Sequence, residues 1–192
     1  MKKTLLFTLL STFIFTSNIT QAAEYIIDSK GAHASVNFKI QHLGYSWLTG
    51  RFDKLEGIFN YDSQNIEKSS IEMKVDVSSI NSNHAERDKH LRSEDFLNTD
   101  KFPEATFKST NVAKIEDGKF AVNGLFTLNG ISKEVNIIVE KIGEGKDPWG
   151  GERAGFSGKL KILLSDFGID SSKLGDASSF VELDIHLEGI KK

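Results

Sequence analysis

Apolar and polar residues alternate along most of the chain beyond residue 23. The alternation is strict over residues 35–40 and 71–77, where every second side chain is apolar. The same pattern, with interruptions, covers residues 120–128, 135–139, 156–164 and 181–187. A period of two residues places successive side chains on opposite faces of a β-strand, so each segment has one apolar and one polar face. A sheet with one wet face is typical of antiparallel pairing, since parallel sheets are covered on both faces.

Turn sequences separate the apolar segments where hairpins require them. Asn129-Gly130 and Asp117-Gly118 are hairpin signals, because a tight type I′ turn needs positive φ angles that Asn, Asp and Gly tolerate. The pattern predicts eight principal strands at residues 36–40, 51–61, 71–77, 105–115, 120–128, 133–142, 156–164 and 181–187, after a short opening strand around residues 25–27. Gly57 marks an expected bulge or bend. Eight alternating strands favour closure into a barrel, which removes exposed strand edges. The predicted fold class is all-β, an eight-stranded antiparallel barrel.

One region, residues 83–92, departs from the period of two. It begins with Asn83 as the expected N-cap, has Glu86 three positions later, and ends in basic residues that suit the negative end of a helix dipole. We predict a short helix here, followed by an irregular segment to Pro103. A second irregular segment is expected at residues 143–151. In a barrel, such segments usually cover an end or line a mouth.

The first 22 residues have the order of a secretory signal peptide, with two lysines, an apolar stretch and a small-residue end. Polar residues interrupt the apolar stretch before it reaches the roughly 20 residues that a membrane-spanning helix needs. We expect cleavage of residues 1–22, which leaves residues 23–192 as one soluble, exported domain. An uncleaved anchor or a buried core helix is the alternative.

Composition excludes several functions. The sequence has no cysteine, which excludes thiol catalysis and cysteine-based zinc sites. The first 22 residues carry two of the 24 basic residues and none of the 27 acidic ones, so the remaining chain has 22 against 27 and a net charge of −5. Acidic and basic residues are interspersed, without the basic cluster that phosphate neutralisation requires. We expect no nucleic-acid partner and no stable membrane insertion.

Potential catalytic groups are concentrated in the predicted helix. His84 and His90 are six residues apart, and the HExxH spacing that brings two imidazoles together on one helix face is absent. His84 with Asp88, or Glu86 with His90, could pair at four residues, but such pairs commonly stabilise helices. The sequence also lacks a Gly-x-Ser-x-Gly turn and a phosphate-binding glycine loop. We therefore predict no metal site, no cofactor and no catalytic residue.

The apolar faces are rich in phenylalanine, since 11 of the 14 phenylalanines follow residue 22. An eight-stranded barrel encloses a space that side chains fill or that holds one ligand, and the residues alone leave both possibilities open. The candidate residues of an apolar ligand channel are Phe38, Ile40, Phe59, Met73, Val75, Phe107, Val122, Phe126, Leu160 and Ile162. Gly57, Gly124 and Gly158 fall on or near inward faces, where missing side chains would leave room for a channel or mark bends of the barrel.

Four segments carry a family resemblance, at residues 36–47, 83–93, 95–98 and 147–151. They read VNFKIQHLGYSW, NHAERDKHLRS, DFLN and DPWGG. In these segments, in order and with similar spacing, the chain resembles the YceI family of bacterial periplasmic proteins. The resemblance implies a periplasmic, lipocalin-like barrel with a long polyprenyl or other amphiphilic chain along its axis.

The helix motif of that family lies here at His84, Arg87, Asp88, His90, Leu91 and Arg92, with Phe96 after it. These side chains either face the head group of the ligand at the barrel mouth or lock the helix to the barrel through buried charge-assisted hydrogen bonds. Locking is the preferred interpretation, because acid and base in one short motif satisfy one another.

Three functions remain open. The first, which we favour, is the binding, storage or transport of a long-chain isoprenoid or quinone-like lipid, with transient contact to membranes or lipid-processing proteins. The second is an enzyme acting on such a lipid, with His84, Asp88 and His90 as acid and base groups. The third is a structural or interaction module, in which inward phenylalanines meet across the barrel axis and leave no continuous void.

Overall fold

The computed structural model describes residues 22–192, and the predicted signal peptide lies outside this range except for its last residue. The strands are β1 (Ala23–Ile27), β2 (Ser35–His42), β3 (Ser46–Phe52), β4 (Leu55–Tyr61), β5 (Ser70–Asp76), β6 (Ile80–Asn81), β7 (Glu104–Glu116), β8 (Lys119–Leu128), β9 (Ile131–Lys146), β10 (Glu152–Leu163) and β11 (Phe180–Lys191). The helix α1 (Ala85–Arg92) follows β6, and short 3-10 helices lie at Ile66–Lys68, Val77–Ser79, Leu164–Phe167, Ser172–Leu174 and Asp176–Ser178. Within residues 22–192, no helix has the length and apolar character needed to cross a membrane.

The eleven strands make an eight-stranded barrel, because three positions around the ring are each built from two short strands. β11 pairs through its first half with β2, where Val181 lies opposite Ile40, and near its end with β1, where Gly189 lies opposite Ile27. β3 pairs with β2, and β4 pairs with β1. At the next position around the ring, β6 pairs with β3, and β5 pairs with β4. From β5 the sheet runs through β7, β8, β9 and β10 back to β11, which closes the ring. The predicted antiparallel barrel with a short helix is confirmed.

The strand predicted over residues 51–61 differs from the observed one. It begins earlier, at Ser46, and is interrupted for two residues, so that it comprises β3 and β4. Gly57 is not at a bulge, since it lies opposite Met73 within a regular β4–β5 ladder. A Cβ atom on Gly57 would lie 2.5 Å from the carbonyl oxygen of Glu72. Glycine here permits the close approach of two strands.

The second irregular segment is shorter than predicted. β9 extends to Lys146, which lies opposite Glu152 at the start of β10, so only residues 147–151 connect the two strands. Gly143 and Gly145 belong to β9 and have partners on β10. Strand pairing therefore overrides the low strand preference of these glycines.

The helix α1 begins after His84, one residue later than predicted. The Nδ1 atom of His84 accepts a hydrogen bond from the backbone N–H of Arg87 at 3.2 Å and thereby caps the helix. Asn83, the predicted N-cap, adopts a left-handed conformation with a φ of 61° in the turn that leads into α1. The helix ends at Arg92, because Ser93 is extended.

Apolar side chains at alternate positions point into the barrel, as the period of two predicts. On β8, Phe120, Val122 and Phe126 are buried, whereas Leu125 between them is exposed. The buried apolar residues of all strands form one continuous cluster inside the ring. The functional question is how completely these side chains fill the interior.

Candidate functional site

Two adjoining cavities lie along the barrel interior. The first, here called the distal cavity, has a volume of about 120 Å³ and includes no residue of α1 in its lining. The second, the helix-end cavity, has a volume of about 340 Å³ and is bordered by α1 and the residues that follow it. The residues Val36, Val75, Ala105, Phe126 and Leu183 line both. These shared residues place the two cavities next to each other along the barrel interior.

The ten candidate channel residues all line this interior. Those of the distal cavity are Phe59, Met73, Val75, Phe107, Val122, Phe126 and Leu160. Those of the helix-end cavity are Phe38, Ile40 and Ile162, together with the shared Val75 and Phe126. The lining of the distal cavity contains no Asp, Glu, Lys, Arg or His, and the helix-end lining contains one charged residue, Arg87. The interior is an apolar channel whose single charge lies at the helix end.

The channel stays open despite its many phenylalanines, because several rings pack over glycines of the barrel wall. A Cβ atom on Gly124 would lie 2.6 Å from two ring carbons of Phe107. The same relationship joins Phe38 with Gly50 and Phe59 with Gly189. Each ring therefore occupies the side-chain space that a glycine leaves vacant, close to the wall and away from the axis.

The inward phenylalanine rings also contact other aromatic side chains near them, and not one another across the barrel axis. Phe59 stacks on Tyr25 with ring centroids 4.9 Å apart, and Phe126 contacts Phe167 edge-on at 5.3 Å. Within the described residues, no aromatic pair joins two members of the set Phe38, Phe59, Phe107 and Phe126. The arrangement required by the packed-interior hypothesis is not the one that the barrel adopts.

The three glycines predicted on inward faces differ in what lies beside them. At Gly57 a Cβ atom would meet the backbone of β5, and at Gly124 it would meet the ring of Phe107. At Gly158 it would lie 3.1 Å from Cγ2 of Ile137. Gly57 and Gly124 therefore leave no open space at their own positions, whereas Gly158 lines the distal cavity. The space depends on where the phenylalanine rings lie.

Part of the helix motif ties α1 to the residue that follows β6. The buried carboxylate of Asp88 accepts hydrogen bonds from the backbone N–H of Ser82, at 2.8 Å, and from its hydroxyl group. Arg87 donates from Nε to the Ser82 hydroxyl at 2.7 Å and from Nη2 to the Ser82 carbonyl at 2.6 Å. Burial raises the pKa of Asp88, but the hydrogen bonds from Ser82 and the charges of Arg92 and Arg87 outweigh it and hold the pKa below its ordinary value. These contacts stabilise the position of α1 on the barrel.

Two further residues of the motif lie outside the channel lining. His84 serves as the N-cap of α1, and Nη1 of Arg92 lies 3.5 Å from the carbonyl oxygen of Ile80. Neither residue lines a cavity, and Asp88 does not line one either. Of the three groups that the enzyme hypothesis names, His84 and Asp88 therefore have no access to the channel.

Arg87 and His90, by contrast, line the helix-end cavity. His90 contacts Phe96 edge-on, with ring centroids 4.9 Å apart, and its Nε2 lies 3.6 Å from the carboxylate of Asp95. Arg87 is half-buried, and among the described residues no carboxylate forms a salt bridge with it. His42 also lines this cavity, so the structure brings one cation and two imidazoles to the same end of the channel.

A charged cluster around Arg153, on the outer wall of the barrel, was not predicted from the sequence. Its Nη1 donates to Asp28 at 2.8 Å and to Glu188 at 2.6 Å, and its Nε donates to Asp147 at 2.8 Å. Asp147 is the first residue of the DPWGG segment and also accepts the backbone N–H of Gly151 at 2.8 Å. That segment was recognisable in the sequence, but its partners were not. The cluster connects β1, β10 and β11.

This cluster resembles a metal site in its composition but not in its charge balance. One ligand atom each of Asp28, His33 and Glu188 lies within 4.8 Å of the others. The guanidinium of Arg153 already contacts both carboxylates, so the positive charge that they require is present. Hydrogen bonds from His33 and then Arg153 lower the pKa of Asp28 to about 2. The geometry is that of an ion-pair network.

Comparisons with known proteins agree with the observed barrel. The family model described as YceI-like domain matches residues 25–189. A UPF0312 protein of Vibrio cholerae is 50% identical over 192 residues, which is 100% of both chains. The crystal structure of a Campylobacter jejuni YCEI protein matches with a TM-score of 0.71 and 29% identity, over 80% of this chain and 90% of that chain. A polyisoprenoid binding domain from Saccharophagus degradans, implicated in plant cell wall breakdown, shares the fold with a TM-score of 0.66 and 18% identity, over 90% of this chain and 100% of that chain.

Proposed function

The chain belongs to the YceI-like domain family, and on that premise we propose that it binds a long-chain isoprenoid or another amphiphilic lipid in the axial channel. The observation that carries the proposal is the apolar interior, in which five residues line both adjoining cavities and the lining of the distal cavity contains no charged residue. The polyisoprenoid binding domain of Saccharophagus degradans, which has the same fold, supports the choice of ligand class.

The apolar lining favours a long hydrocarbon chain over a compact polar ligand. Apolar burial contributes about 25 cal/mol per Å², so a chain that extends through both cavities has enough area to offset the losses of freedom on association. A charged group in the distal cavity would have no partner there and would be costly to bury. The distal cavity therefore takes the hydrocarbon tail.

The polar head of the lipid then lies at the helix end of the channel. Arg87 uses two of its donor groups on Ser82 and retains others, because a guanidinium carries five N–H bonds. With His90 it supplies hydrogen-bond donors beside the wider cavity. A quinone-like carbonyl or another acceptor head group fits this end. Arg87 would thus both anchor α1 and contact the head group.

We propose binding and not catalysis at this site. The helix-end lining offers Arg87, which cannot be deprotonated in proteins, and the imidazoles of His42 and His90. The hydroxyl of Ser178, in the same lining, is engaged with the backbone of Gln41 and Leu43. The remaining groups of the helix motif are used in the N-cap and in the contact with Ser82. Asp95, the carboxylate nearest to His90, lines neither the distal nor the helix-end cavity.

The place of action proposed here is the periplasm, because the first 22 residues have the features of a cleaved signal peptide. There the protein would store a lipid or transport it between membranes and lipid-processing proteins. Cell fractionation and the mass of the purified chain test this directly. A protein recovered from the cytoplasm with residues 1–22 intact would contradict it.

Lipid binding is tested by native mass spectrometry of the protein recovered from the periplasmic extract, followed by organic extraction and identification of the released lipid. We expect an adduct that extraction removes and a long-chain isoprenoid in the extract. Addition of a purified polyprenol to the extracted protein should restore the adduct. Absence of lipid together with no uptake of polyprenol would contradict the proposed function.

A further inference from the structure

The turn between β2 and β3 carries three exposed apolar or aromatic side chains. Tyr45 is 86% exposed, Trp47 is 50% exposed and Leu43 is 47% exposed. Tyrosine and tryptophan favour the boundary between water and lipid, because each ring is apolar with a polar edge. We call this set of three residues the hairpin tip.

The hairpin tip borders the opening of the helix-end cavity. Gln41, His42 and Leu43 all line that cavity, and His42 and Leu43 are also exposed to solvent, so the cavity reaches the protein surface beside these two residues. The hydroxyl of the buried Ser178 donates to the Gln41 carbonyl at 2.7 Å and accepts from the Leu43 N–H at 3.4 Å. The tip is therefore held in a fixed position beside the mouth of the channel.

The backbone of the turn does not account for the leucine at its tip. Leu43 and Gly44 have φ angles of 52° and 80°, both in the left-handed region. The same conformation recurs at Asn129 and Gly130, with φ angles of 51° and 73°. Asparagine tolerates this region better than leucine does. A half-exposed leucine at a strained position that also lines the helix-end cavity points to a role for its side chain at the mouth of the channel.

The wall next to the hairpin tip is balanced in charge. Lys39 lies 4.7 Å from the ring centroid of Trp47 and also pairs with Glu182 at 2.9 Å. Arg51, further along β3, pairs with Asp53 at 2.7 Å. This surface offers no excess of positive charge for a strongly anionic partner. Its apolar tip above paired charges matches the neutral, zwitterionic surface of a phospholipid bilayer.

We infer that the hairpin tip inserts into the head-group region of a phospholipid bilayer and so brings the open end of the channel to the membrane. Exchange of the bound lipid through that mouth rests on the proposed function, whereas docking itself does not. Because apolar insertion drives the contact, binding to phosphatidylcholine vesicles should persist when salt is raised.

The first experiment measures flotation of residues 23–192, which contain every strand of the closed barrel, with phosphatidylcholine vesicles. The variant Leu43→Asn restores the Asn-Gly turn and should leave the unfolding free energy unchanged or raise it. Combined with Tyr45→Ser, it should weaken vesicle binding about tenfold or more, as removal of buried apolar area predicts. Equal binding of this stable variant and the wild type, or no wild-type binding, would overturn the proposal.

A matched control uses Trp149, which is 81% exposed in the segment just before β10. The mouth lies beside the opposite end of β10, and the strand between them is roughly 35 Å long at about 3.3 Å per residue. The chain has two tryptophans. In Trp149→Phe, the emission of Trp47 should therefore shift to the blue when vesicles are added. In Trp47→Phe, the emission of Trp149 should not shift. A blue shift of the Trp149 emission without one of the Trp47 emission would place the membrane contact at the opposite end of the barrel and contradict the proposal.

The last arm separates docking from lipid binding. The Tyr45→Ser/Trp47→Ser variant changes two positions that line neither the distal nor the helix-end cavity. It should also float less with vesicles, and it should take up polyprenol from a cyclodextrin complex like the wild type, but about tenfold more slowly from vesicles. Equal uptake from vesicles would contradict docking as the route of exchange. If neither protein takes up polyprenol from either source, the proposed function fails, and the flotation result still decides whether the tip docks.

Discussion

The ring of Phe59 on β4 lies over Gly189 on β11, where a Cβ atom would be 2.6 Å from the ring carbon Cζ. The two strands are not adjacent, since β1 lies between them and contributes Tyr25, on which the ring stacks at 4.9 Å. This contact holds the ring against the wall of the distal cavity. The width of the channel therefore depends on residues that line it and on glycines beneath them.

Replacement of Gly189 should disturb both stability and lipid uptake. In Gly189→Ala the methyl group would displace the Phe59 ring towards the axis, with a loss of unfolding free energy of about 1–3 kcal/mol. Urea unfolding and polyprenol uptake measure the two effects. Gly143→Ala is the matched control, because a Cβ atom there meets nothing within 4 Å. Unchanged stability and uptake in Gly189→Ala would contradict the role assigned to this contact.

The junction of the two cavities should be sensitive to side-chain size. Phe126→Trp narrows the channel without adding charge, and we expect reduced lipid retention by a folded barrel. Phe126→Asp should abolish retention, since an unpaired carboxylate is costly in an apolar channel, and circular dichroism must first show an intact barrel.

Two changes on the outer face of β11, Glu182→Ala and Asp184→Ala, serve as controls for these variants. Glu182 pairs with Lys39 at 2.9 Å and Asp184 with His186 at 3.2 Å, and neither lines the distal or the helix-end cavity. Mass spectrometry should find lipid retained in both. The apolar channel is the wrong site if these changes abolish lipid binding while folded Phe126 variants retain lipid fully.

Loss of Arg153 should destabilise the barrel strongly. In Arg153→Met the carboxylates of Asp28 and Asp147 would lose their common cation, which should lower the unfolding free energy more than the loss of an exposed ion pair does. Arg51→Met, which breaks an exposed pair, should cost less than about 1 kcal/mol. Chemical denaturation compares the two variants. Equal losses of unfolding free energy in the two variants would mean that the network around Arg153 stabilises the barrel no more than an exposed ion pair does.

Stability should fall at acidic pH through Asp28. Hydrogen bonds from His33 and Arg153 lower its pKa to about 2 in the folded protein, below the ordinary value of 3.8. A group with a depressed folded-state pKa stabilises the fold above its unfolded pKa, and the contribution is lost as the pH falls from about 4 to about 2. Urea unfolding across this range should show the loss, and Asp28→Asn should reduce it. An identical pH profile for the variant would rule out Asp28 as its source.

The anchoring role of Asp88 can be separated from a role in ligand binding. Asp88→Ala removes the acceptor for two hydrogen bonds from Ser82 and should lower the unfolding free energy by about 2–3 kcal/mol. Lipid retention by the remaining folded protein should be unchanged, since Asp88 does not line the channel. Arg87→Met should weaken both properties, because Arg87 contacts Ser82 and lines the helix-end cavity. Normal stability with lost lipid in Asp88→Ala would reverse this assignment.

The alternation of apolar and polar residues determined the barrel and the inward positions of all ten candidate channel residues. This was possible because the two faces of a strand follow from local sequence alone. The interruption of the strand over residues 51–61 and the extension of β9 to Lys146 were not predictable in this way. They depend on which strand lies alongside, and pairing partners are distant in the sequence.

Only the tertiary structure decided whether the interior is open or packed and how the charged motifs are used. Phe59 and Gly189 are far apart along the chain, as are Asp28 and Arg153, and no local pattern connects them. Each pair is formed by the closure of the ring, which sets the register between β11 and β1. A sequence pattern fixes the face on which a side chain lies, but packing and ion pairing depend on the atoms that the closed barrel places opposite that face.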